Sequence, residues 1–216
     1  MKKTKKNFGI AAILLGAFVL WTVAVRLVDV QPIGPQGSAV GFATINGWVH
    51  DLTGVHMALY TVTDWLGLVP FGIAMGFALL GLSQWIKRRQ LRQVDFSILV
   101  LGGFYLLVMS AYVLFEMFVV NYRPVLINGC LEASYPSSTT MLALCVMPTT
   151  LMQLNARLKS QTLKRWGGFG ITAFIIFMVI GRLFSGVHWL TDIIGGALLS
   201  AGLVMLYHSI TSLEIK

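Results

Sequence analysis

The chain has 216 residues, of which 56% are apolar and only 11% charged, with a mean hydropathy of +0.79. Soluble domains carry about 25% charged residues, so this composition excludes a disordered chain, a coiled coil and a typical soluble enzyme, and points to a polytopic membrane protein. Sixteen basic residues against eight acidic ones leave a net charge of +8, which would suit nucleic acid until the positions of the basic residues are considered.

A membrane-crossing helix needs about 20 mostly apolar residues. The first candidate, 8–28, follows the basic string MKKTKK. It is longer than a signal-peptide core and lacks a small-x-small cleavage site, which favours an uncleaved first helix. Residues 29–65 come next and are neither a span nor polar. They open with the turn-rich Gln31-Pro32-Ile33-Gly34-Pro35 and continue with Val40, Phe42, Ile45, Trp48, Val49, Leu52 and Val55 near helical spacing. This reads as a helix lying in the interface with Trp48 near the headgroups, or as a lid or packing element without chemistry. Further spans are expected at 66–86, 96–120, 138–154, 167–183 and 189–208. The fourth of the six holds Pro148 and several threonines, which neighbouring helices can tolerate. Of the two cysteines, Cys130 falls in a loop and Cys145 in an apolar run, with no C-x-x-C between them. Neither a disulfide nor a zinc cluster is expected.

Basic residues mark the cytoplasmic side. Lys2, Lys3, Lys5 and Lys6, then Lys87, Arg88, Arg89 and Arg92, then Arg157, Lys159, Lys164 and Arg165, and finally Lys216 all fall on one side of a six-span arrangement. That is thirteen of the sixteen basic residues. Both termini are therefore expected inside. Topology and anionic lipid account for the charge excess, and no nucleic acid is needed as a partner. Acids show the reverse bias. Asp29, Asp51, Asp64, Glu116, Glu132 and Asp192 fall outside, and only Asp95 and Glu214 inside. Arg123 and Arg182 run against the rule and need another reason to be where they are.

Three polar islands lie at the outer ends of spans, where ionisable groups are functional candidates. The first runs from Glu116 to Arg123-Pro124. The second is Tyr135-Pro136-Ser137-Ser138-Thr139-Thr140. The third is Gly181-Arg182 followed by His188 and Asp192. His188 and Asp192 are four residues apart and share a helix face. A carboxylate beside an imidazole selects its tautomer and readies the other nitrogen as nucleophile or base. Arg123 and Arg182 each offer a planar fork of donors for a tetrahedral oxyanion. Ser137 and Ser138, at a helix start, add hydroxyls and unpaired N–H groups. Singly, each has a plain reading as a capping pair, a headgroup anchor or an ordinary helix start. Together they are an inventory for phosphoryl transfer. A transporter fits less well, because its site would lie near the midplane.

These islands resemble the membrane branch of the type 2 phosphatidic acid phosphatase family, which shares its fold with vanadium haloperoxidases. That family's pattern is K-x6-R-P, then P-S-G-H, then S-R-x5-H-x3-D. Here it reads Glu116-x6-Arg123-Pro124, Pro136-Ser137-Ser138-Thr139 and Gly181-Arg182-x5-His188-x3-Asp192. The resemblance implies an all-α fold of six transmembrane helices with a phosphatase-like core over 116–192. It implies a membrane lipid phosphatase, of bacterial plasma-membrane type with its site facing outside, acting on a polyprenyl diphosphate or a glycerol-based lipid phosphate. His188 would become a phosphohistidine, Asp192 would orient it, and Arg123, Arg182, Ser137 and Ser138 would hold the phosphate. No metal or cofactor is implied.

Three positions depart from the pattern, at Glu116, Thr139 and Gly181. Thr139 stands where the family's histidine would protonate the leaving group, and losing a general acid costs about 10²–10⁴-fold. Three explanations stay open. The substrate could carry a good leaving group such as a phosphate. Glu132, Glu116, His50 or His56 could supply the proton, since a carboxyl in an apolar site has its pKa raised. Or the chain could be a non-catalytic binder of lipid phosphates, acting as a receptor or assembly partner. Glu116 is expected mainly to pair with Arg123, about two helical turns away.

Overall fold

The computed structural model describes residues 2–213; Glu214 and Lys216, which the charge pattern puts inside, lie outside the described residues. Eight α-helices are present among the described residues. They are α1 (Lys2–Leu27), α2 (Ala43–Thr53), α3 (Met57–Leu66), α4 (Leu68–Arg88), α5 (Phe96–Met117), α6 (Ser138–Arg157), α7 (Gln161–Phe184) and α8 (Leu190–Thr211). Two short 3-10 turns and three isolated β-bridges complete the described structure.

Five helical stretches are long and apolar enough to cross a membrane: Thr4–Leu27, Met57–Arg88, Phe96–Met117, Gln161–Phe184 and Leu190–Thr211. The second starts about ten residues earlier than the sequence suggests. Gly67 keeps a right-handed helical conformation, so α3 leads straight into α4. Helix α6 does not meet the same threshold. Ten of its twenty residues are buried, among them Thr139, Thr140, Thr149, Thr150 and Gln153. The helix packs mainly on α7 and α8, and its buried polar side chains find partners on α5, α7 and α8 or on their own backbone. Thr149 and Thr150 donate to the carbonyls of Cys145 and Val146 at 2.8 and 2.7 Å.

The core is a column of side chains from α1, α5, α6 and α8, including Phe18, Leu101, Val108, Met141, Cys145 and Leu203. Helix α1 runs along α8. At the basic end, Asp95 ties three helices together. It pairs with Arg88 of α4 at 3.0 Å and Arg157 of α6 at 2.9 Å, at the start of α5. A hydrogen bond from Gln84, then those from Arg157 and Arg88, hold its carboxyl down to about 2. Cys130 is exposed and Cys145 buried, both as free thiols.

The 29–65 segment is more than one interfacial helix. Val40 precedes the helix in an antiparallel bridge to Gln31, and Phe42 caps α2 in a left-handed conformation. Trp48, Leu52 and Trp65 are exposed, as an interfacial element requires. The other face is anchored by Asn46, which is fully buried. Asn46 donates to the Gly41 carbonyl at 2.7 Å and to Thr191 Oγ1 at 2.9 Å, and accepts from the Thr191 amide at 3.2 Å. One side chain thus fastens α2 to the start of α8.

Removing these bonds leaves the Thr191 amide buried without a partner, a loss of about 1–3 kcal/mol. Asn46→Ala is therefore expected to lower the unfolding midpoint in detergent by that increment, measured by thermal unfolding.

Candidate functional site

The three polar islands meet at the end of the bundle opposite Asp95. The chain between α5 and α6 doubles back, with Tyr122 bridged antiparallel to Ala133. The Arg123 amide donates to the Glu132 carbonyl and the Ser134 amide to the Asn121 carbonyl, at 3.0 and 2.9 Å. The pairing sets Arg123 beside Glu132 and Asn121 beside Ser134. Helix α8 approaches this loop closely because residue 195 is glycine. A Cβ there would stand 2.5 Å from the Tyr135 ring.

Asp192 is fully buried at the first turn of α8, whereas His188 lies in the turn before that helix, so the two do not share a helix face as expected. Asp192 Oδ2 accepts from the Trp189 amide at 2.9 Å and from Ser134 Oγ at 2.5 Å, while Asn121 Nδ2 lies 3.4 Å from Oδ1. His188 Nδ1 is 3.7 Å from Asp192 Oδ2 but only 3.0 Å from Ser134 Oγ. The expected histidine–aspartate contact is therefore relayed through a serine that sequence reasoning missed. Its only signal was a hydroxyl three residues before Ser137.

The proton positions follow from the donors. Arg123 Nη1 lies 3.2 Å from His188 Nε2, and a guanidinium has no acceptor. Nε2 must then present its lone pair, and Nδ1 carries the hydrogen and donates it to Ser134 Oγ. Ser134 in turn donates to Asp192. His188 is 4% exposed. Burial, then the Arg123 and Arg182 charges, hold its pKa well below the ordinary histidine value, so the ring is neutral at neutral pH.

Arg182 is buried, with 1% of its side chain exposed. Its Nη2 donates to Thr139 Oγ1 at 2.6 Å and pairs with Asp64 Oδ1 at 3.2 Å, and Nη1 lies 3.4 Å from Thr63 Oγ1. Its guanidinium also sits over the Tyr60 ring, 4.9 Å from the centroid. The α3 residues Tyr60, Thr63 and Asp64 thus surround a site arginine, a role the sequence did not suggest for them. The turn between α7 and α8 lies against the same segment. The His56 amide donates to the Ser185 carbonyl at 3.0 Å. Gly186 takes φ +68° where a Cβ would collide with the Gly54 carbonyl, so glycine is required there on two counts.

A cavity of about 650 Å³ opens beside these groups. Arg123, Arg182, Ser138 and Thr139 line it, as do the carboxylates Asp64, Glu116 and Glu132. A narrow void shared by Ser138 and Glu116 reaches on to Ser134 and His188. Two expectations need correction. Glu116 is exposed and forms no ion pair with Arg123 within 4 Å. Glu132 takes that place, with Oε2 3.0 Å from Arg123 Nε, because the loop pairing sets residues 123 and 132 side by side. Ser137 does not line the cavity. It is fully buried and its hydroxyl donates to Thr140 at 3.1 Å, since its position as the residue before α6 turns it inward. Neither His50, whose ring packs on Trp189, nor His56, bonded to the Thr53 carbonyl, lines the cavity. Among the described residues no group of three or more His, Cys, Asp or Glu side chains is placed to hold a metal ion.

A family model described as the PAP2 superfamily matches residues 100–216, which takes in most of α5, all of α6 to α8 and the loops between them. No curated protein matches the chain. Among solved structures, the chain is similar to the crystal structure of the first transmembrane PAP2 type phosphatidylglycerolphosphate phosphatase from Bacillus subtilis. The TM-score is 0.58 at 20% sequence identity, covering 95% of this chain and 97% of that one. At that identity the likeness shows a shared fold.

The charges around His188 make one outcome directly measurable. Its imidazole should titrate below ordinary histidine when followed by NMR of the labelled ring. Arg123→Gln should move that titration upward, because removing a nearby cation makes protonation easier.

Proposed function

The chain belongs to the PAP2 superfamily, and from that membership we propose that it is an integral membrane lipid phosphatase. It removes a phosphate from a lipid phosphate or diphosphate headgroup through a phosphohistidine on His188. The observation that carries this reading is the lone pair of His188 Nε2, aimed at Arg123 and backed by Ser134 and Asp192. A phosphate held between Arg123 and Arg182 would take the place of the Arg123–His188 contact. Nε2 would then form a bond to phosphorus as the bond to the lipid oxygen breaks, and Ser134 and Asp192 would stabilise the positive imidazole. Water would later cleave the phosphohistidine, releasing phosphate and restoring the neutral ring. No cofactor is invoked.

The six-span reading with both termini inside is kept as part of the proposal. Helix α6, at 20 residues, is about 30 Å long, enough to cross the apolar layer when shielded by protein. The basic clusters around Lys87–Arg92 and Arg157–Arg165 stand at the end opposite His188, which supports an outward site. In this reading the substrate lies in the outer leaflet of a bacterial plasma membrane, and the segment 29–65 covers the site.

Thr139 accepts a hydrogen bond from Arg182 and is no acid at neutral pH. A diphosphate, whose leaving group is itself a phosphate, fits this site better than a simple ester. Glu132 and Glu116 line the cavity and are the groups that could give a proton to an ester oxygen. A second reading, a non-catalytic binder of lipid phosphates, is favoured by the absence of a histidine at position 139.

Phosphate release from a polyprenyl diphosphate, a phosphatidate and a phosphatidylglycerol phosphate in detergent tests the two. The phosphatase reading expects release, highest on the diphosphate and absent in His188→Ala. No release from any lipid, with binding lost in Arg123→Ala, supports the binder. In an active enzyme, Ser134→Ala should lower kcat with little change in KM. Loss of a hydrogen bond to a charged group costs about 1.5–3 kcal/mol, or about 10–100-fold in rate. The acid limb of kcat/KM should lie below the ordinary histidine value, because the depressed pKa of His188 keeps the nucleophile unprotonated to lower pH.

A further inference from the structure

Another cavity, of about 560 Å³, lies away from the site, between α4 and α5. Small residues line it, Ala74, Ala78 and Gly81 on α4 and Gly102 on α5. In a membrane such residues usually let two helices close on one another. That happens only near Gly81, where a Cβ would stand 3.0 Å from Ile98 Cγ2. A Cβ on Gly102 would meet nothing within 4 Å, so beyond that contact a groove stays open. Val94, Ile98 and Leu101, at its floor, are buried members of the core, while Leu82, Leu99 and Leu106, at its edges, are exposed. An occupant would therefore lie between the helices, one layer inside the surface that meets bulk lipid.

The lining calls for hydrocarbon. Apart from the Trp85 indole, its polar side-chain group is the Tyr105 hydroxyl, and Thr149 Oγ1 takes that at 3.2 Å. From Phe71 to Trp85 the groove follows fourteen residues of α4, about 21 Å of helix. The apolar half of a bilayer is about 15 Å deep, so a whole acyl chain fits along it. One end is basic. Trp85 and Leu91 line that end, and the exposed side chains of Lys87, Arg89 and Arg92 belong to the same turn of chain. Arg88 is engaged by Asp95, but these three form no ion pair among the described residues. Tryptophan marks headgroup depth, and basic groups at helix ends attract anionic headgroups. Apolar groove and basic mouth together match the two parts of one molecule.

We propose that the groove between α4 and α5 holds one anionic phospholipid, with an acyl chain along Ala74, Ala78 and Gly102 and its headgroup at Lys87, Arg89 and Arg92. The headgroup lies at the end of the bundle opposite His188. This lipid is thus a resident that fastens α4 to α5, not a substrate, and the proposal stands apart from the phosphatase reading. A basic residue beside an anionic lipid surface is worth about fivefold in affinity. Three exposed ones, screened by solvent, give about a 10-fold preference over a lipid without net charge.

The test is lipid retention by the purified protein in detergent, counted per chain by mass spectrometry. The probes are phosphatidylglycerol and phosphatidylcholine of equal chain length, both diesters without the phosphate monoester that a phosphatase would remove. One phosphatidylglycerol per chain is expected, held about 10-fold more tightly than phosphatidylcholine. The double substitution Arg89→Gln with Arg92→Gln, both at exposed positions, should remove the preference. Gly102→Phe, which fills open space, should weaken binding of both lipids about 10-fold. Arg123→Ala, at the other end of the bundle, should change neither. Equal retention of the two lipids, retention indifferent to the substitutions at 89, 92 and 102, or loss of retention in Arg123→Ala overturns the proposal. So does a dimer in detergent that retains no lipid and that Gly102→Phe converts to a monomer, which would give the groove to a second copy of the chain.

Discussion

The carboxylate of Asp192 is the group on which this end of the molecule depends. A fully buried carboxylate survives only when hydrogen bonds replace its water. Here the amide of Trp189, the hydroxyl of Ser134 and the amide of Asn121 do so. Those three partners come from the start of α8 and from both limbs of the loop between α5 and α6. Satisfying one charge therefore closes the loop on the helix and sets His188 in a single orientation. The same group caps α8, which begins two residues after the histidine, so the fold and the proposed chemistry share an anchor.

The arginines obey the same constraint with the opposite sign. Arg182, buried beneath α3, is kept company by Asp64, Thr63, Thr139 and the Tyr60 ring. Arg123 is matched by Glu132. Carboxylates at these positions hold the guanidinium groups where a phosphate would meet them. Any anion that enters must compete with them for the two guanidinium groups. The segment 29–65 is part of this balance. Through Asn46 on α8 and Asp64 on Arg182, it is joined to the site at two separated points.

Much was legible in the sequence where the signal was a spacing along one element. The apolar runs of the long helices and the basic clusters at one end express helical geometry and bilayer electrostatics, and they are local; His188 and Asp192 do come close, but His188 lies in the turn before α8, so their approach is not that of two residues on one helix face. The polar islands also converge as the sequence suggested, with Arg123 on His188 and Arg182 lining the cavity that Arg123 lines. Less legible were groups whose role depends on a distant partner. Ser134 carries no motif and matters because loop pairing sets it between His188 and Asp192. Asp64 sits in an unremarkable apolar stretch and matters because α3 packs on α7. Glu116 reads as the partner of Arg123 by helical spacing, yet α5 ends at Met117. Beyond that point spacing along a helix no longer describes which residues meet.

By itself, the sequence determined a helical membrane protein with a cluster of phosphate-binding residue types at one end, because hydropathy, charge bias and short spacings are properties of consecutive residues. Only the tertiary structure decided which side chain stands between His188 and Asp192, which carboxylates neutralise the two arginines, and that Ser137 turns away from the cavity while Ser138 and Thr139 face it. Those outcomes depend on burial and on backbone pairing between segments far apart in the chain. The free energy of a buried charge is set by whichever groups surround it in space.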